Sequence, residues 1–361
     1  MNESTLKNLL PEIPSPDWAA HDKAQARLDS LTKPLGSLGR LEELAAHYVA
    51  MTGKTSPPPL NPTVFTLVAD HGITAEGISA YPQTVTAQMV KNFLQGIAGV
   101  NVLARHTDTA VCVVDMGVAD DLGVLPGLIT HKIAKGTKNF AQEPAMTEEQ
   151  AWRCIQIGMD LVKDACTRGT NLVGVGEMGI GNTTASAAIV SVLTGQSVEK
   201  VTGRGTGVND RQFRHKISVI EQALLLHRPS SLDAMDVLVK VGGFEIGGIV
   251  GIILGAAACR VPVVLDGFIT GAGALLAVAL KPECRDYLIA SHLSQEPGHR
   301  TVLDYLQLEP LLDLRLRLGE GTGACLAITL VQAAIKIYTE MATFDETGVD
   351  GAISLETGKG S

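Results

Sequence analysis

The residues best suited to chemistry lie within residues 171–194, which read NLVGVGEMGIGNTTASAAIVSVLT. A short apolar run at 172–175 predicts a buried strand. Glycines and small polar residues follow, and an Ala/Ser/Val-rich run then predicts a helix opening at Asn182 or Thr183. Strand, glycine loop and helix start make a phosphate site, because free N–H groups converge where the helix carries about half a positive charge. Gly174-x-Gly176-x-x-Gly179 matches a dinucleotide fingerprint. Gly176-x4-Gly181-Asn182-Thr183 matches a P-loop, except that Asn182 stands where the lysine should be. A single phosphate needs only the N–H cradle and the hydroxyls of Thr183 and Thr184. The competing reading is a plain strand-to-helix turn whose glycines supply φ > 0. Glu177 inside the loop opposes a phosphate unless it serves the other end of the ligand.

In an open parallel sheet, ligands bind beyond the C-terminal strand ends. The residues that follow the apolar runs are Asp70-His71-Gly72, Asp115, Glu177, Asp266-Gly267 and Ser291-His292. Each alone reads equally well as a turn residue or helix cap, and the set is what points to a site. Asp70, His71, Asp115 and Asp266 are suitable metal-ligand types, but no HxH or HExxH pair supports one, so no metal is expected. His106 and His131 read as isolated surface or core histidines. Glu320 stands between glycines in RLRLGEGTGACLA. A desolvated carboxyl there would have a raised pKa and suit proton abstraction near neutrality. Equally, it reads as a first-turn glutamate favoured by the helix dipole.

The elements that must carry these residues alternate. Residues 22–31 and 38–51 read as helices, and a Pro-rich linker at 56–62 marks a boundary. Beyond it, β-rich runs at 63–69, 109–114, 128–134, 171–175, 261–265 and 287–290 are separated by helical stretches such as 85–105, 148–168 and 211–227. That alternation predicts an α/β fold, a doubly wound parallel sheet with helices on both faces. A closing helix at 323–341 is expected to pack with the N-terminal helices in a small subdomain. The expected division is therefore 1–60, a catalytic domain over 61–322, and 323–361, with fraying after residue 344. A G-x-G-T-G frame occurs twice, at 203–207 and 319–323.

Composition bounds the partners. Only 4% of the 361 residues are aromatic and the net charge is −9, which argues against nucleic-acid binding. An anionic small molecule is still admissible, because salt confines the distant field to about 8 Å. Six cysteines form no CxxC pair and predict reduced thiols. The N-terminus lacks signal-peptide character, and the apolar run at 246–259 is too short to span a bilayer. A cytoplasmic protein without a membrane partner is expected.

KPLGSLGRLEELA (33–45), ADHG (69–72), YPQTVTAQMV (81–90), GVGEMGIGNTT (174–184), KVGGFEIGG (240–248), PVVLDGFIT (262–270), Ser291-His292 and LRLGEGTGACLA (316–327) together resemble the nicotinate-nucleotide:dimethylbenzimidazole phosphoribosyltransferases. The resemblance runs over about residues 31–341. It implies transfer of 5-phosphoribosyl from nicotinate mononucleotide to 5,6-dimethylbenzimidazole, giving α-ribazole 5′-phosphate and nicotinate. It also implies a homodimer, a Rossmann-like domain, a small helical domain from both chain ends, and no metal or dissociable cofactor. Residue by residue, it makes Glu320 the catalytic base and places Glu177 in the same site. Gly176, Gly179, Gly181, Asn182 and Thr183 would hold the ribose phosphate, with Lys216 as a cationic contact. Tyr81, Gln88 and Leu318 would line the benzimidazole pocket, and Asp70, His71, Asp266 and His292 remain further candidates on the rim.

The chemistry agrees with that implication. Nicotinate leaves from a cationic pyridinium, so the C1′–N bond is already activated, and one phosphate suffices for a loop without the P-loop lysine. One rival is a NAD-dependent oxidoreductase using Gly174–Gly179; it requires an acid about 20 residues on to grip the ribose, and Glu199 falls near there in a polar connector. A second rival, a non-catalytic nucleotide-binding module, leaves Gly319-Glu320-Gly321 without purpose. On the phosphate reading, Gly179→Val should block ligand approach.

Overall fold

The Val-, Thr- and Ile-rich runs form one sheet, as β-branched side chains favour. The computed structural model describes residues 10–350. Its strands are β1 (Pro62–Ala69), β2 (Ala110–Gly117), β3 (Leu128–Thr130), β4 (Leu172–Met178), β5 (Val263–Leu265) and β6 (Leu288–Ala290). They lie in the order β3-β2-β1-β4-β5-β6 and every neighbouring pair is parallel. The parallel sheet is the one the alternation predicted, and its order is Rossmann-like, as the family resemblance implied. Its strand order reverses between β1 and β4, so a crevice opens beyond their C-terminal ends. All eight residues of β1 are buried, as expected of a strand covered on both faces.

The helices are α1 (Trp18–Ser30), α2 (Arg40–Thr52), α3 (Val85–Leu94), α4 (Gly99–His106), α5 (Glu148–Thr167), α6 (Asn182–Thr194), α7 (Asp210–His227), α8 (Ala234–Val241), α9 (Phe244–Ala258), α10 (Phe268–Leu280), α11 (Pro297–Leu306) and α12 (Thr322–Glu340). Two differences from the sequence reading bear on the site. The run at 85–105 is two helices, broken where Gly96 takes φ +74°. The break gives α4 a start of its own, with free N–H groups. Strand β4 continues through Met178, so Gly174, Gly176 and Glu177 belong to the strand and not to the loop.

The apolar run at 246–259 is a core helix: α9 is buried from Phe244 to Ala257. One described helix, α12, is long and apolar enough to cross a membrane by length and composition. It buries Ala324, Cys325, Ala327, Ile328 and Val331 inside the protein, which is how a core helix behaves.

The chain separates into two compact units. One contains Leu60–Ile328 with the segment ending at Ser15; the other joins Pro16–Pro59 to the chain from Thr329 onward. The second boundary thus falls within α12 and not ahead of it. In the smaller unit Arg27 Nε donates to Tyr338 O (2.7 Å) and Tyr338 Oη donates to Thr55 O (2.8 Å), tying the N-terminal helices to the end of α12. Lys33 and Glu42 of the KPLGSLGRLEELA segment form a buried ion pair at 2.8 Å. Of the tail expected to fray after residue 344, Phe344–Thr347 form a short helix capped by Thr343, and residues 351–361, like 1–9, lie outside the described residues.

Candidate active site

Glu320 occupies an unusual backbone position. Gly319, Glu320 and Gly321 have φ of +83°, +67° and +104°. Glycine takes this region freely, but a residue with a Cβ is strained there by about 1–2 kcal/mol. Such strain persists only where the surroundings impose it, and here they do. Thr66 Oγ1 donates to Glu320 O at 2.8 Å and Glu320 N donates to Glu177 O at 3.1 Å. Asp266 accepts from Gly321 N (3.0 Å), Gly323 N (2.6 Å) and Ala324 N (3.1 Å). Asp266 therefore caps α12 and pins the Gly-Glu-Gly loop; burial raises its carboxyl to about 7 despite those three bonds.

Gly176 has a different purpose from the one predicted. A Cβ there would lie 2.3 Å from the Glu320 carbonyl, so the glycine admits the Gly-Glu-Gly backbone against β4. The Glu320 carboxylate is buried and Oε2 accepts from Val100 N at 3.3 Å, at the start of α4. Its dipole partner is thus α4, and the reading as a first-turn residue of the closing helix is set aside. Burial raises the Glu320 pKa, the Val100 N–H opposes that rise, and the Asp266 charge adds to it.

Glu177, also buried, receives a short hydrogen bond from Asn182 Nδ2. Its other oxygen, Oε1, fills the space a Cβ on Gly319 would need, 2.6 Å away. Burial first, then the charges of Glu245 and Asp266, holds its pKa well above the usual carboxylate range. Asn182 therefore serves Glu177 with its side chain, and only its place in the helix start remains for a phosphate.

One cavity of about 490 Å³ joins these groups, within the range of small-molecule sites. At one end stand Gly179, Ile180, Asn182 and Thr183, with Gly205 and Thr206 of the first G-x-G-T-G frame opposite. Helix α6 opens at this end behind Gly181, whose φ of +98° demands glycine, and no side chain caps it. Lys216 Nζ stands behind Thr183, donating to its Oγ1 at 2.8 Å. Burial lowers that ammonium to about 8, against the pull of Glu296. Beyond Asn182, which touches Glu177, the lining continues with Glu177, Glu320, Asp266 and His292, and the walls include Tyr81, Val85, Met89, Phe268 and Leu318. Burial holds His292 below its ordinary pKa.

Other expected residues lie elsewhere. Gln88 is exposed and absent from the cavity wall; the turn of α3 that brings Val85 and Met89 inward leaves it outside. Asp70 Oδ2 accepts from Ala119 N at 2.8 Å, and His71 Nε2 pairs with Glu245 Oε1 at 2.6 Å in full burial, so both act behind the cavity. Asp115 accepts from Gly117 N and Val118 N and pairs with Lys132. A Cβ on Gly179 would sit 2.2 Å from Ala69 O, so Gly179→Val would disrupt the ends of β1 and β4 before it blocked any ligand. Among the described residues no cluster of three or more His, Cys, Asp or Glu is arranged to hold a metal ion. Glu199 lies exposed in the short helix Val198–Val201, so the dinucleotide reading lacks its ribose-gripping acid.

The sequence reading missed Glu245 and Glu296. Glu245 lay within the KVGGFEIGG segment and opens α9. Glu296 precedes Pro297 at the start of α11, a recognisable helix-start pattern. It accepts from Gly205 N at 3.0 Å and so holds the loop of the first G-x-G-T-G frame.

Residues 13–349 match the family model DBI_PRT, described as phosphoribosyltransferase. The nicotinate-nucleotide–dimethylbenzimidazole phosphoribosyltransferase of Geotalea uraniireducens (strain Rf4) is 55% identical over 344 residues, covering 95% of this chain and 98% of its own. Its namesake from Roseiflexus sp. (strain RS-1) is 54% identical over 350 residues, covering 97% and 99%. The crystal structure of CobT from Thermus thermophilus is similar at a TM-score of 0.89 and 47% identity, over 92% of this chain and all of that one (100%). With fold, loop architecture and near full-length identity in agreement, the chain belongs to the nicotinate-nucleotide–dimethylbenzimidazole phosphoribosyltransferase family of enzymes.

Proposed function

We propose that this enzyme transfers the 5-phosphoribosyl group of nicotinate mononucleotide to 5,6-dimethylbenzimidazole by a single inverting displacement, with Glu320 as general base. The observation that carries the reading is that Thr183, backed by Lys216, and Glu320 line one cavity. The phosphate rests at the start of α6, and the ribose bridges toward the carboxylates. The benzimidazole lies among Tyr81, Val85, Met89 and Leu318. Its unprotonated nitrogen forms the new bond to C1′ as the C1′–N bond to nicotinate breaks. Nicotinate departs with that electron pair, and the positive charge passes to the incoming heterocycle. The other ring nitrogen then gives its proton to Glu320. Attack opposite the leaving group converts a β-nucleotide into an α-linked product. Holding both partners across C1′ supplies much of the acceleration, and general-base help adds about 10²–10⁴. Glu177 faces the same ribose and stabilises positive charge at C1′.

The test is incubation with nicotinate mononucleotide and dimethylbenzimidazole. Nicotinate and α-ribazole 5′-phosphate should appear one for one, with the α configuration verified by proton coupling and cross-relaxation at C1′. Nicotinate release without a nucleotide product, or a β-linked product, overturns the reading. The enzyme is expected to work as a homodimer, which sedimentation velocity checks.

A further inference from the structure

Helices α5 and α9 approach each other at backbone distance along a seam of glycines. A Cβ on Gly247 would stand 2.8 Å from Cys154 Cβ, one on Gly251 2.9 Å from Gly158 Cα, and one on Gly255 2.6 Å from Val162 Cγ1. The register thus advances one helical turn on both helices at once: 154 with 247, 158 with 251, 162 with 255. The next turn brings Cys166, in the last turn of α5, against Cys259, the residue that ends α9. The two thiols are hydrogen-bonded there. Two turns earlier Gly158 and Gly251 meet backbone to backbone, and a disulfide needs Cα atoms about 4.4–6.8 Å apart.

Exposure and chemistry differ usefully between the two. Cys259 is exposed and Cys166 half-buried, whereas Cys154, Cys284 and Cys325 are buried. The bond from Cys166 first, and the Lys163 charge second, lower the Cys259 thiol to about 6 against the effect of burial. The same bond and burial push Cys166 upward. A thiolate at the surface with a second thiol against it is the arrangement of an attacking and a resolving cysteine.

We propose that Cys166 and Cys259 are a peroxide-responsive dithiol that closes into a reversible disulfide between the ends of α5 and α9. The Cys259 thiolate attacks hydrogen peroxide. An S–O bond forms, the O–O bond breaks, and hydroxide leaves as water after taking a proton. Cys259 is then a sulfenic acid and no longer accepts the Cys166 hydrogen bond, which frees that thiol to react. Its sulfur displaces the hydroxyl, the S–S bond forms, and a second water departs. Two thiols and one peroxide give one disulfide and two waters.

The full-length protein, treated with a few equivalents of hydrogen peroxide at neutral pH and quenched with N-ethylmaleimide, provides the test. Peptide mapping should find a Cys166–Cys259 cross-link, a loss of about 2 Da in the intact chain, reversed by dithiothreitol. Cys166→Ser should stall at a Cys259 sulfenic acid that dimedone traps. Cys259→Ser should slow peroxide consumption at the remaining cysteine by about tenfold or more. Nicotinate release reports that each variant is folded. A wild-type Cys259 that stays reduced, proceeds to sulfinic acid without a cross-link, or pairs with another cysteine or a second chain overturns the proposal.

Discussion

Replacing Glu320 by glutamine separates chemistry from architecture at the one residue where the two are most entangled. The glutamine keeps the shape, the strained backbone at φ +67° and an oxygen able to accept from Val100 N. It loses only the ability to take a proton. Turnover should fall by about 10²–10⁴, equivalent to about 2.7–5.5 kcal/mol of transition-state stabilisation. Stability should move the other way or not at all. The folded state raises the Glu320 pKa chiefly by burial, so ionised Glu320 is held at a penalty near neutrality and the amide avoids it. The sign with pH follows: the group's raised folded pKa makes the native state more favourable in acid. That contribution is lost as pH climbs through the folded value. Activity runs oppositely, because the base must be ionised; kcat/KM should rise with pH through the same value in the wild type. The assay is chromatographic quantitation of nicotinate and nucleotide product across pH, alongside thermal unfolding. Turnover within threefold of wild type would remove Glu320 as the base. A large loss of activity accompanied by a markedly lower Tm would make its role structural.

Four further substitutions probe the supports. Asp266→Asn turns an amide donor toward at least one of the N–H groups at Gly321, Gly323 and Ala324; a loss of about 1–3 kcal/mol in denaturant unfolding is expected, with turnover falling as the Glu320 loop loosens. Lys216→Met removes a buried ammonium whose Nζ is 2.8 Å from Thr183 Oγ1. It should raise KM for nicotinate mononucleotide by about 10- to 100-fold, but leave binding of the phosphate-free nucleoside, measured by calorimetry, unchanged. Gly319→Ala places a methyl 2.6 Å from Glu177 Oε1 at φ +83°; Tm should drop, and Glu320→Gly, which relieves strain next door, should not drop it comparably.

The sheet was legible because β-branched runs and their spacing leave few ways to cover an apolar strand on both faces. The strand, glycine turn and helix start at 172–194 were legible because they are contiguous in the chain. What escaped was determined across the fold. Gly176 looks like a loop glycine until Glu320 arrives from 144 residues further along to lie against it. Asp266 looks like a turn residue until its two oxygens meet the first amides of α12. Gln88 and Met89 are neighbours in sequence, and only the rotation of α3 decides which one faces the cavity. Periodicity ran α3 and α4 together because a single glycine break is a weak signal in a long apolar stretch. That break creates the N–H that Glu320 uses.

Acids crowd one part of the cavity, and this bears on how the substrate lies. Lys216, opposed by Glu296, and the uncapped start of α6 stand beside Thr183, whereas Glu177, Asp266 and Glu320 crowd together beyond Asn182. Nicotinate mononucleotide is itself polarised, with a phosphate dianion at one end and, at the other, a pyridinium nitrogen at C1′ whose charge the more distant ring carboxylate offsets. Reversed binding would set the dianion against three acids, whose mutual repulsion already contributes to raising Glu177 and Glu320. The correct orientation relieves that repulsion instead. Attraction for the pyridinium alone would only tighten ground-state binding and leave kcat unchanged. During displacement, however, charge spread over the pyridinium ring contracts toward C1′, nearer the carboxylates that the ribose bridges. Fixed charges gain most from charge that concentrates beside them, because they need no reorganisation at that moment. On the proposed mechanism the positive charge then moves onto the benzimidazole and leaves the cavity only when Glu320 takes the proton. A site assembled from crowded acids is poor for folding, and on this mechanism the crowding is useful because a cation is present at every step until that last transfer.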